Sequence, residues 1–378
     1  MGAASPRGEM SPAAAGGGGP GGSGLASLAG SRAVRAARAG ASGALGRAGA
    51  AARATRSDAP RMTGAVRSER AGGTGPGVGV GGFVVELAGY LKERRARVER
   101  ALEEALPAKS PDPGRLVEAM RYTLFLPGKR LRAVICVAVA EAFGGRERDV
   151  MPLGVAVEMV HAASLILDDL PAFDDATLRR GAPANHRVFG EATAVLAAVS
   201  LLAAAFRHLG DRSRPRFFGP DDAVGAVREL ADAVGENGMV AGEALDILAR
   251  GGRPDLDELE RIHALKTGSL FIACAGEAAR LSGAGPLEQA ALRAYAKNLG
   301  LAFQITDDLL DVVGDPAATG KDHAEASEGA NFVAFAGVEG ARRLAEELIE
   351  TATSSLEPLG KRATTLAALA EFVGRRDR

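Results

Sequence analysis

VMPLGVAVEMVHAASLILDD, residues 150–169, decides the fold. Its apolar side chains recur almost all the way round a helix, so little of its surface suits water, and a helix of that kind is enclosed by others. It ends in two carboxylates, and the next residues, LPAFDDATLRRG (170–181), add two more aspartates and a pair of arginines. Asp168, Asp169, Asp174 and Asp175 repel one another, and the apolar approach makes their charge costlier still. A bundle that delivers acidic groups to an interior site is the architecture this predicts.

The flanking sequence agrees. FVVELAGYLKERRARVERALEEAL, PGRLVEAMRYTLFL, RAVICVAVAEAF, VRELADAVGENGMVAGEALDIL, LDELERIHALKTGSLFIACAGEAARL and LEQAALRAYAKNLGLAFQITDDLLDVV carry apolar residues at three- and four-residue spacing. None alternates with the period of a half-buried strand. The spacing predicts one all-α domain over residues 83–378, a bundle of about ten or more helices around a central cavity. ATAVLAAVSLLAAAF (192–206) has no charge but falls short of the ~20 residues that span a bilayer. It reads as a buried core helix, in a soluble chain without a transmembrane segment. Cys136 and Cys274 lack metal or disulfide spacing and read as small core residues.

Residues 1–82 differ in kind. The first 80 residues hold ten arginines, no lysine and three acids, whereas the whole chain has a net charge of −1. PAAAGGGGPGGSG has almost nothing to bury, so a disordered leader is expected. Its Arg-rich, Ser-containing, acid-poor composition reads as a transit peptide rather than a nucleic-acid-binding arm. The abundance of small residues favours a plastid address over a mitochondrial one.

Pro171 should interrupt the helix after the first acid pair and swing the second pair back toward it. A second cluster lies in QITDDLLD, where Gln304, Asp307 and Asp311 share a helical face with Asp308 beside them. Both clusters follow apolar helix, which suits hard cations, and Mg²⁺ in particular combines a few carboxylates with phosphate oxygens. The loop spacing of an EF-hand is absent. Cations suited to phosphate accompany them: Lys129, Arg130 and Arg132 in PGKRLR, Arg179 and Arg180, Lys266 in HALKTGS and Lys321 in ATGKD. His161 lies two turns before Asp168 on one face.

From about Val84 onward these motifs resemble the trans-prenyl diphosphate synthases, and most closely the plastid geranylgeranyl diphosphate synthases. DDLPAFDD–LRRG is similar to the family's first aspartate-rich motif and FQITDDLLD to its second; GKRLR, HALKTGS, GLAFQ, GDPAATGKD and EFVGRRDR fall in family order. The resemblance implies an isoprenoid synthase fold. It also implies condensation of isopentenyl diphosphate with an allylic diphosphate, with up to three Mg²⁺. Asp168, Asp174 and Asp307 would hold the metal, and Asp169, Asp308 and Asp311 would support through waters. Arg179, Lys266 and Lys321 would face the allylic diphosphate. Lys129, Arg130, Arg132, His161 and Arg180 would face isopentenyl diphosphate, and Thr267 and Gln304 would steady the cation. Ala163 and Ser164, small residues below the first motif, imply a twenty-carbon product. The basic tail of Arg375, Arg376 and Arg378 would close over the second substrate. A homodimer, or a heterodimer with a related synthase, is the assembly implied.

The chain departs from the family pattern at several positions. Leu167 stands where His is usual and Glu243 where Gln is usual. AVSLL (198–202) replaces GDALL, Pro127 replaces a glycine, Ala133 a proline and Gly329 a lysine. A farnesyl or longer-chain synthase, or a weakly active or inactive regulatory subunit, are the alternatives these departures keep open.

Overall fold

The computed structural model describes residues 80–106, 115–211, 220–313 and 331–376. Residues 1–79 of the expected leader, Lys321, Gly329 and Arg378 lie outside them. Within them the chain is helical almost throughout: α1 (Val80–Ala105), α2 (Leu116–Leu124), α3 (Leu131–Ala142), α4 (Glu147–Asp168), α5 (Asn185–Phe189), α6 (Glu191–Gly210), α7 (Pro220–Val234), α8 (Met239–Ala249), α9 (Leu256–His263), α10 (Ser269–Leu281), α11 (Pro286–Val313), α12 (Phe332–Ser355) and α13 (Thr364–Gly374). The all-α expectation holds. The exception is a two-residue antiparallel ladder joining β1 (Leu178–Arg179) to β2 (Ala182–Pro183).

The helix read first is α4, and it is central. It packs on α3 and α6 and also reaches α1, α2 and α10. Val150, Leu153, Val155, Met159, Val160 and Ile166 are buried, each contributing about 1.5–3 kcal/mol of transfer free energy. Gly154 lets α3 approach closely, since a Cβ there would lie 3.0 Å from the Ala133 methyl. A second apolar cluster of Leu259, Ile262, Ile305, Leu309, Phe332 and Val333 joins α9, α11 and α12. It fixes the end of α11 that carries the second acid cluster.

Two expectations change. VRELADAVGENGMVAGEALDIL forms two helices, α7 and α8, because the chain turns at Gly235–Gly238. A Cβ on Gly238 would sit 2.1 Å from the Ala233 carbonyl oxygen, so only glycine closes this turn. The second change concerns α6, which is not wholly enclosed. Ala194, Ala197, Ala198 and Leu201 are buried, but Val195, Leu196 and Val199 are 39%, 57% and 55% exposed. Both α4 and α6 are long and apolar enough to cross a membrane by length and composition, with 67% and 44% of their apolar windows buried within the fold.

Candidate active site

Helix α4 ends at Asp168, and the turn after Pro171 folds back on it. The Asp174 amide donates to the Asp168 carbonyl at 2.9 Å, and the Phe173 and Asp175 amides both donate to the Leu170 carbonyl. The second acid pair is thereby returned to the first. Asp169 is buried, and its Oδ1 accepts from Arg179 Nε at 2.8 Å and from Arg179 Nη2. Burial raises the Asp169 pKa despite that arginine. Burial also lowers that of Arg179, but Asp169 more than offsets it, so this guanidinium stays charged. Arg250 donates to Asp174 at 2.7 Å and to the Phe173 carbonyl at 2.6 Å. It is a cation the motif reading missed, because it lies 76 residues from its partner.

Lys266 and Thr267 sit in a π-helical turn, Ala264–Gly268, between α9 and α10. Lys266 Nζ lies 2.6 Å from Asp246 Oδ2 and 2.7 Å from Glu243 Oε2, both on α8. Burial opposes its charge, but Asp246, Asp168 and Glu243 together hold its pKa above the usual lysine range. Asp168 responds in the opposite sense: burial first, then Glu243, push it up to about 7. Thr267 donates to Gln304 Oε1 at 2.9 Å, Gln304 Nε2 donates to Asp308 Oδ1 at 2.9 Å, and Asp308 Oδ2 accepts from the Phe332 amide at 2.8 Å. One turn thus links the two acid clusters, with Lys266 on the side of the first and Thr267 on the side of the second. Asp308 is buried and pushed up to about 7; both its oxygens hold protein groups in place.

A third group is cationic. Arg180 Nη2 lies 3.4 Å from His161 Nε2. Burial lowers the Arg180 pKa to about 10, with Arg130, Arg179 and Arg132 nearby. Burial, then Arg132, Arg180, Arg130 and Arg179, hold His161 well below its ordinary value, so it is neutral and accepts from Arg180. Burial also lowers the Arg132 pKa, and the Arg132 Nε has no hydrogen-bond partner. Lys129 lies 5.6 Å from the Phe372 ring. Arg180 (φ 53) and Gly181 (φ 78) are both left-handed, the pattern of a type I′ hairpin turn, which a non-glycine residue adopts at a cost. Gly128 makes room, since a Cβ there would lie 2.6 Å from Arg180 Nη1. Arg130 stands apart: at φ 52 it turns inward, donating to the carbonyls of Leu124 and Leu126 beside buried Glu158. It builds the wall of this basin rather than its surface.

Ala163 is fully buried, and Ser164 is half-buried with its hydroxyl donated to the His161 carbonyl at 3.0 Å. Asp311 lies on the last turn of α11. Arg375 pairs with Glu371 at 3.5 Å. Arg376 pairs with Asp307 at 2.9 Å, so it meets the second acid cluster, and it shares the Phe303 ring with Arg132 of the basin.

These residues fit Mg²⁺. Asp169 Oδ2 and Glu243 Oε1 are buried without hydrogen-bond partners, and burial, ahead of neighbouring charge, pushes Asp168 and Asp308 up to about 7. Among the described residues no three His, Cys, Asp or Glu side chains converge as a ready-made metal site.

Comparison with known proteins shows the family. The polyprenyl synthetase family model matches residues 113–359. A chloroplastic geranylgeranyl pyrophosphate synthase of Capsicum annuum is 40% identical over 292 residues, covering 76% of this chain and 78% of the relative. A chloroplastic heterodimeric geranylgeranyl pyrophosphate synthase large subunit 1 of Arabidopsis thaliana is 39% identical, covering 77% and 80%. The solved FPP/GFPP synthase of Zymomonas mobilis superposes with a TM-score of 0.67 at 35% identity, covering 77% of this chain and 99% of that one. With the family model spanning well over half of its length, the chain belongs to the polyprenyl synthetase family.

Proposed function

We propose that this trans-prenyltransferase adds one isopentenyl unit to farnesyl diphosphate and releases geranylgeranyl diphosphate. The observation that carries the reading is the π turn. It sets Lys266 beside Asp168 and Thr267 beside Gln304, so one short segment serves both acid clusters.

Asp168, Asp174 and Asp307 would hold up to three Mg²⁺ ions, which when bound would supply positive charge to stabilise a departing diphosphate. Asp169 and Asp308 are fixed behind these positions by Arg179 and by Gln304 with the Phe332 amide, and Asp311 stands on the next turn. Lys266 adds a fixed positive charge on the diphosphate's side, where preorganised charge stabilises the departing oxygen. Lys321 is assigned to the same role, outside the described residues. The oxygens of Thr267 and Gln304 face the allylic cation that remains. Lys129, Arg132, His161 and Arg180 hold isopentenyl diphosphate, with Arg130 bracing them. Its double bond attacks the cation, and the proton lost from the adduct passes to the released pyrophosphate.

Residues 1–82 are assigned to a leader that carries the protein into the plastid stroma. Both curated relatives above are named chloroplastic, which favours the plastid over the mitochondrion. The exposed face of α6 is assigned to a dimer, either with a second copy or with a related synthase subunit. Incubating the full chain with farnesyl and isopentenyl diphosphates and Mg²⁺, with chain-length analysis, tests the reading. A C20 product supports it, and a C15 or C25 product reassigns the length. No product alone, with altered output on mixing with an active synthase, would favour a regulatory subunit.

A further inference from the structure

Helix α13 ends at Gly374, and two residues later Arg376 returns to α11. Its Nη2 donates to the Phe303 carbonyl at 3.1 Å and to Asp307 Oδ1 at 2.9 Å. The guanidinium lies 4.0 Å from the Phe303 ring centroid, and the side chain is only 4% exposed. Arg132 lies over the same ring at 5.8 Å and over Phe271 at 4.7 Å. A terminal arginine is therefore desolvated, stacked and ion-paired inside the catalytic cleft.

The partner is informative. Asp307, Asp308 and Asp311 crowd one turn of α11, and Asp307 is the member assigned to metal. In this structure the positive charge paired with that carboxylate is Arg376. A guanidinium 2.9 Å from one oxygen of the carboxylate assigned to metal repels a divalent ion approaching that carboxylate, so the two compete for it.

We propose that Arg376 is a positioning residue that acts through Asp307. It is the internal counter-cation of the second acid cluster, keeping Asp307 aimed into the cleft and weakening metal binding there until Arg376 is displaced. The inference rests on reading Asp307 as a metal ligand. It adds to that reading that the tail and the metal are antagonists.

The test is a Mn²⁺ titration of the full chain, without substrates, followed by electron paramagnetic resonance. Arg376→Gln should bind Mn²⁺ about tenfold more tightly than the unaltered protein, while Arg376→Lys, which keeps the charge, should return most of the way. A residue needed only for packing would not tighten metal binding when removed. Asp307→Asn separates the two levels. If it leaves Mn²⁺ binding unchanged, the metal-ligand reading fails. If it weakens binding but Arg376→Gln binds Mn²⁺ no more tightly, the counter-cation proposal alone is overturned. Circular dichroism of each variant confirms that the compared proteins are folded.

Discussion

A methyl group on Gly242 would come within 2.1 Å of the backbone nitrogen of Lys266, so α8 meets the π turn main chain to main chain. Gly300 makes a similar approach from α11, where a Cβ would lie 2.9 Å from the Gly268 Cα. The turn carrying Lys266 and Thr267 is gripped between two glycines. Turns of this kind insert an extra residue into a helix and recur at functional sites.

Gly242→Ala should therefore displace Lys266 from Asp246 and Glu243 as it strains the packing. The expected loss is about 1–3 kcal/mol of stability, read as a lower thermal midpoint, together with a fall in turnover larger than the fall in stability explains. An unchanged midpoint with full activity would contradict the gripped turn.

Acidity should stabilise the metal-free protein. Asp168 and Asp308 sit at about 7, burial being the first cause for both, against about 3.9 in an unfolded chain. Between those values the folded state binds more protons, so their contribution is complete at low pH and lost as pH rises through 7. In a chelator, Asp308→Asn, which mimics the protonated acid, should flatten the decline of the thermal midpoint between about pH 4 and 7. A variant whose pH profile parallels that of the unaltered chain would remove Asp308 from this account.

Product length separates two neighbours on α4. Ala163 has no exposed surface, so Ala163→Phe should lower the thermal midpoint as well as shorten the product. Ser164, half-buried and one turn below Asp168, has more room for an aromatic ring. Ser164→Phe should shift product toward fifteen carbons with less loss of stability, as chromatography of the dephosphorylated alcohols would reveal. A variant still making chiefly the C20 product would place the length-limiting wall elsewhere.

The outer face of α6 predicts an assembly. Val195, Leu196 and Val199 lie within little more than one turn, each more than a third exposed, and Val199 occupies the position where the family pattern has aspartate. Leu196→Glu should convert a dimer into a monomer in sedimentation velocity. A dimer that survives Leu196→Glu together with Val199→Glu would put the interface on another surface.

Helices and acid clusters were legible because both are local. Apolar spacing marks a helix within a dozen residues, and Asp168 to Asp175 or Asp307 to Asp311 span only two turns. Partners were not legible. Glu243 and Asp246 reach Lys266 from another helix, and nothing in HALKTGS distinguishes a π turn from an ordinary one. Arg130 was grouped with Lys129 and Arg132, yet a left-handed backbone at that one residue sends it into the wall. The contact of Arg376 with Asp307 spans 69 residues, beyond the reach of any periodicity. The break at Gly238 was hidden for a different reason. Apolar spacing resumes in phase on either side of it, and only the Ala233 carbonyl shows why a helix cannot pass.

The hairpin of Arg179 and Arg180 has a consequence for how this protein could diversify. Consecutive residues reach different partners, Arg179 to Asp169 of the first acid cluster and Arg180 to His161 in the basin. On the proposed assignment of Arg179 and Arg180, the span between the two substrates' phosphates is set by a single peptide unit and its left-handed turn. One inserted or deleted residue there would put the two pockets out of step without altering any side chain. Length changes should be rarer in this six-residue hairpin than substitutions around it, and a designer seeking new substrate pairs would do better to leave its register alone.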